Sequence, residues 1–248
     1  MEYKEDALTG SDKQFDTAFS QVEGLVWLPW VGKNYARGKH RVLVVAESHY
    51  SVQDDAGNFA RGASEGPVNI LETRQCVEEC PIGQEWPSRT YQNLSRVLAG
   101  GEPADPAGLW EGIAYYNLVQ RVMDYSGDEY AKERPTYRDY MRGWGIFNQV
   151  AGILKPDACI VAGVSAANHF EEAMGKLSVG HSPVEQFDLE GEQARARCMG
   201  IELEGRRLPI VCIKHPAKYF SYDLWHGFLQ EKLPETMEYL AALAAVKE

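Results

Sequence analysis

Four consecutive residues, Glu47-Ser48-His49-Tyr50, set a carboxylate, a hydroxyl, an imidazole and a phenol at the end of the apolar run Val42–Val45. Glu47 and His49 are both titratable and nearly adjacent, which is what general acid–base work requires. Three more polar residues stand at the ends of similar apolar runs: Asn117 after Gly112–Tyr116, Ser165 after Asp157–Ala162, and His215 after Pro209–Ile213. Singly these are ordinary features: a strand entering a polar loop, a turn-forming asparagine, a histidine before proline. Together they matter if the runs are parallel strands, because open α/β sheets bind ligands at the carboxyl ends of their strands.

The elements around these residues predict that arrangement. Four short apolar runs, each followed by a helical stretch and with no tight hairpin between them, fit parallel strands joined by crossover helices. The expected fold is a three-layer α/β/α sandwich with a central four-stranded, mainly parallel sheet, forming a single domain over residues 1–248 with its core at 41–231. Phe15, Phe19 and Val22 at helical spacing behind Ser11 predict an N-terminal helix over 11–23. Trp27 and Trp30 suit core packing. A helix is expected from Val68 to Cys80, broken by Pro81–Pro87. Ser88 then caps a helix with Tyr91, Leu94, Val97 and Leu98 on one face. Thr136 caps Tyr137–Leu154, which Pro156 stops. Residues 52–66 and 122–136 read as polar loops, 178–207 as a hairpin or excursion, and 234–246 as the C-terminal helix.

Composition bounds the function. A chain of 248 residues can bury a full core without staples. No apolar run is long enough for a membrane span, and the N-terminus lacks signal-peptide character, so a cytoplasmic monomer without membrane attachment is expected. Five cysteines, an odd number, suit reduced thiols. Cys76 and Cys80 lie four apart but have no second close pair to complete a metal site, and no metal or other cofactor is implied. Neither a Walker A sequence nor G-x-G-x-x-G is present, which disfavours nucleotide hydrolysis and dinucleotide redox chemistry. The net charge of −11 argues against strong non-specific nucleic-acid binding.

The ordered landmarks resemble those of the uracil-DNA glycosylase superfamily. That family places a water-activating motif, GQDPYH in one branch and GEAPG in another, after its first strand. Ala46-Glu47-Ser48-His49-Tyr50 is similar, with Glu47 where GEAPG has its Glu and Tyr50 where GQDPYH has its Tyr. Pro87-Ser88 resembles the family's Pro-Ser at a helix start, and Gly112-Ile113-Ala114-Tyr115-Tyr116-Asn117 resembles its G-(V/I)-x-x-x-N strand. Ala162-Gly163-Val164-Ser165 is similar to its Gly-Ser turn, and His215-Pro216-Ala217-Lys218-Tyr219 to its HPSPLS segment.

The resemblance implies roles. Asn117 would read the polar edge of an extruded base, Tyr50 would wall the pocket, and Phe59 would stack on the base. His215 would stabilise charge developing on the base as the glycosidic bond breaks. Ser88 and Ser165 would hold phosphates, with Lys218 in the neighbouring basic and aromatic segment. Tyr219 or Phe220 would be the wedge that fills the vacated stack. The partner would be DNA or a free nucleobase or nucleotide. Three departures are notable: Ser48 stands where GQDPYH has its water-activating Asp, His49 replaces Pro, and HPSPLS has lost its Ser and second Pro. Some branches also lack that Asp, and Glu47 or His49 would then serve as the acid–base group. Two other readings are a silent nucleobase binder on the same fold, and a serine hydrolase in which Ser165, Asp188 and His215 run in the hydrolase order.

Overall fold

The computed structural model describes residues 8–50, 69–123 and 133–245, together with the backbone of 52–53 and 59–60. Its seven-stranded sheet comprises β1 (Trp30–Val31), β2 (Val42–Ala46), β3 (Ala114–Asn117), β4 (Ala158–Ala162), β5 (Glu185–Phe187), β6 (Ala196–Leu203) and β7 (Arg206–Ile213). The spatial order is β1-β3-β2-β4-β7-β6-β5. Strand β2 is buried at every position, as a strand covered on both faces must be. It pairs in parallel with β3 and with β4, and β4 pairs in parallel with β7.

The four runs singled out in the sequence therefore form a contiguous parallel centre. The sheet as a whole is mixed, however, which corrects the expectation of four mainly parallel strands. Strand β1 joins one side antiparallel, and β6 and β5 extend the other side antiparallel. The segment 178–207, expected as a hairpin or an excursion, holds β5 and β6; its alternation is blurred because β6 is half-exposed at Arg197 and Cys198. It returns into β7 through Glu204 and Gly205, both at positive φ (50° and 78°). Two left-handed residues make the tight hairpin that matches strand twist, so a hairpin does join two strands here.

Alternate strand residues feed two apolar clusters. Leu43 and Val45 of β2 face Trp144, Phe147 and Val150 of the helix α5 (Tyr137–Leu154). Val42 and Val44 belong to the opposite cluster, with Leu94 of one helix and Trp225 and Leu240 of two others. That period of two is the signature of a pleated strand, and helices cover both faces.

In chain order the helices are α1 (Asp16–Phe19), α2 (Glu72–Val77), α3 (Arg89–Ala99), α4 (Pro106–Glu111), α5, α6 (Phe170–Lys176), α7 (Tyr222–Lys232) and α8 (Pro234–Ala244). Ser88 caps α3 by accepting from the Tyr91 amide. Thr136 and Asp139 form a reciprocal capping box on α5, so the expected start of that helix is observed. The N-terminal helix is shorter than expected. Ser11 does not cap it but makes an antiparallel bridge to Gly32, leaving only Asp16–Phe19 helical. The second helix starts at Glu72 and passes into a π-turn (Glu78–Ile82) that absorbs Pro81. The C-terminal helix ends at Ala244. Arg74 on α2 is fully buried; its guanidinium grips the Asp16 carboxylate with two nitrogens and donates to the Pro29 carbonyl at 2.9 Å. No helix among the described residues is long and apolar enough to cross a membrane.

Candidate functional site

The carboxyl ends of β2, β3 and β4 lie in register. Ala46 is opposite Asn117 on one side and Ala162 on the other, and Ile213 at the end of β7 is opposite Ala162. Glu47, Asn117, Ser165 and His215 consequently stand on one edge of the sheet, although 168 positions separate Glu47 from His215 in the chain.

Glu47 is buried, 9% exposed. Its Oε1 accepts the Tyr140 hydroxyl at 2.7 Å and the Ser165 hydroxyl at 2.5 Å. Two donors on one oxygen offset the loss of solvation that burial imposes on a carboxylate. Oε2 takes no hydrogen bond among the described residues and is left to accept a proton from a ligand or water. Burial, reinforced by the Glu47 charge, pushes the Tyr140 phenol well above its ordinary pKa, so it remains a donor. Sequence reading missed Tyr140. It lies one turn into α5 on the face shared with Trp144 and Phe147 and reads as core; only its hydroxyl hints otherwise.

Beside this pair lies a second polar group. His49 Nε2 is 2.7 Å from Asn117 Nδ2 and 3.1 Å from Thr73 Oγ1, and the ring packs edge-on against Trp27. Burial drives the imidazole pKa down to about 4, which keeps it neutral at physiological pH. Gln120 braces the surroundings: its Nε2 donates to the Asn117 carbonyl at 2.5 Å, and its Oε1 accepts from the amides of Val26 and Trp27. Thr73 and Gln120 carry no sequence signal, being separated from their partners by tens of residues and supplied by other elements. Past the sheet edge, His49 and Tyr50 pair in parallel with Val122 and Met123. Tyr50 donates to the Glu133 carbonyl, its phenol pKa raised mainly by burial, and Ser48 turns its hydroxyl inward beside it. The side chain of Phe59 lies outside the described residues.

The segment after β7 is anchored from two directions. Asn93 on α3 donates to the carbonyls of Pro216 and Ala217, holding the turn that carries half-buried His215. Lys214 Nζ donates to both oxygens of Glu192, at 2.9 and 3.0 Å, and to the Tyr219 carbonyl at 2.8 Å. Tyr219 is 92% exposed with φ of +57°, a left-handed conformation that costs a non-glycine residue about 1 kcal/mol or more. Phe220 turns inward and stacks on Trp225, and Lys218 is exposed beside the tip. An open cavity of about 910 Å³ runs along this tip, bordered by Glu190, Glu192, Lys214, Tyr219 and Leu224. Ser88 borders a separate cavity of about 300 Å³ lined by Trp86 and Tyr91.

The hydrolase-type triad is not assembled. The Ser165 hydroxyl donates to Glu47, while Asp188 lies on the surface paired with Arg195 at 2.8 Å. Cys76 and Cys80 are buried and neither is in a disulfide, and the described residues contain no group of three or more potential metal ligands among His, Cys, Asp and Glu. No protein-family model matches the chain, and no curated protein matches it.

Proposed function

We propose that this chain is a divergent member of the uracil-DNA glycosylase superfamily that takes an extruded deaminated or damaged base and cleaves its N-glycosidic bond by attack of water. The observation that carries the reading is the register of the strand ends, which puts Glu47, Asn117, Ser165 and His215 on one edge of the sheet. In this reading Asn117 pairs with the base. As the C1′–N bond breaks, its electron pair passes to the base, and His215 hydrogen-bonds the oxygen on which charge collects. Glu47 Oε2 takes the proton of the water that bonds to C1′, with Tyr140 and Ser165 holding the other oxygen. Ser48 is a poor base at neutral pH, so the carboxylate one residue earlier carries that role. Tyr219 is the wedge, since Phe220 is packed away.

A second reading, a nucleobase or nucleotide binder without the reaction, is favoured by the net charge of −11 and by the engagement of Asn117 with His49. The experiment that separates the two presents single- and double-stranded oligonucleotides carrying uracil, hypoxanthine or xanthine and measures abasic sites. Glycosylase activity should drop about a hundredfold or more in Glu47→Gln and in His215→Ala, the range for loss of a general base or a charge-stabilising donor. Absence of abasic sites on every substrate, with measurable binding of a free base, would instead support the binder.

A further inference from the structure

We infer that His49 is a specificity-determining residue: as a neutral ring protonated on Nδ1, it holds the Asn117 amide with Nδ2 turned towards the imidazole and Oδ1 left for the ligand. The inference rests on the nucleobase-recognition reading above, in either its catalytic or its binding form. It begins with the 2.7 Å contact between Asn117 Nδ2 and His49 Nε2. An amide nitrogen has only hydrogens to offer, so Nε2 must be the acceptor and the ring proton must sit on Nδ1. The low basicity that burial gives this ring is consistent with a neutral acceptor.

A free asparagine is ambidextrous. Rotating its amide by 180° exchanges donor and acceptor, so it can satisfy either a lactam edge or an amidine edge. A lactam presents a ring N–H next to a carbonyl; an amidine presents a ring nitrogen acceptor next to an amino group. Tethering one face of the amide removes that freedom, and the acceptor position becomes a property of the protein. The restraint is itself restrained. His49 is fixed by Thr73 at 3.1 Å and by the Trp27 edge, with 4.8 Å between ring centroids. The Asn117 backbone carbonyl is held by Gln120. Thr73 does not set the polarity, because a hydroxyl can rotate to suit either tautomer; the amide imposes the ring tautomer, and Thr73 then donates to the same Nε2 lone pair at the longer distance. Asn117 Oδ1 takes no hydrogen bond among the described residues.

The test has two parts. Nitrogen NMR of the full-length protein labelled in histidine reports each ring's tautomer, with the His49 signals assigned by their loss in His49→Leu. Nδ1 should show the protonated signature and Nε2 the acceptor signature. An Nε2-protonated ring overturns the inference whether or not the protein has activity. Calorimetric binding of uracil against cytosine, and of hypoxanthine against adenine, then reads discrimination. Wild type should prefer one member of each pair, and the preference should shrink about tenfold in His49→Leu, the scale of one well-aligned pair of base contacts. The Asn117→Asp variant keeps the size of the side chain but has only acceptors, so it should shift the ring proton to Nε2. Undiminished discrimination in a folded His49→Leu protein also overturns the inference. Failure to bind any base would count against the nucleobase reading itself, while the tautomer would still be read.

Discussion

Glu47 is the residue on which the rest of the site leans, and its environment makes a measurable claim. Both of its side-chain hydrogen bonds among the described residues fall on Oε1, from Tyr140 and Ser165. Because the acceptor is a carboxylate, removing one donor in Tyr140→Phe should cost about 2 kcal/mol of stability, read as a lower urea midpoint at unchanged slope. The Ser165→Ala and Tyr140→Phe effects should not add, since both hydroxyls serve one oxygen. Arg74 gives a contrasting case. With Asp16 replaced by Ala, a guanidinium with no solvent exposure loses its counter-charge, and the expected cost is about 3 kcal/mol. Arg74→Met should cost less, because Asp16 retains some contact with water (30% side-chain exposure).

At the level of elements, the tip that follows β7 is a strained turn clamped from behind. Three donations from the Lys214 ammonium, two to Glu192 and one to the Tyr219 carbonyl, tie the left-handed tyrosine to the β5–β6 connection. Replacing Tyr219 by Gly relieves the positive φ and removes a side chain that packs on almost nothing. It should therefore raise stability by about 1 kcal/mol in thermal unfolding, and under the glycosylase proposal it should also weaken oligonucleotide binding. Much at this scale was legible in the sequence. The caps at Ser88 and Thr136, the buried face of α3 and the four parallel strands all follow from local signals, because a cap or an alternation is written in neighbouring residues. What was not legible came from distance or from mixed exposure. Ser11 stands where a cap is expected, yet its partner is Gly32, far along the chain. The β5–β6 excursion showed no clear alternation, and Thr73, Gln120 and Tyr140 meet the site only through tertiary packing.

For the molecule as a whole, two groups predict how stability responds to acid. The folded His49 ring binds its proton only near pH 4, against an ordinary value of 6.5. Between those values the unfolded chain takes up a proton that the folded chain refuses, so stability should fall as pH drops from about 6.5 to about 4. Asp139, held down to about 2 chiefly by the Arg121 guanidinium, adds stability that is present above about 3.8 and is lost as pH falls through 2. Urea midpoints measured against pH should show both limbs, and His49→Leu should abolish the upper limb only. The margins of the sheet carry a different consequence. Strand β1 has two residues and is overlaid by the bridge from Ser11, while β5 has three. Among the described residues, rims so abbreviated give a neighbouring molecule little ladder to extend, which disfavours edge-on polymerisation of the sheet.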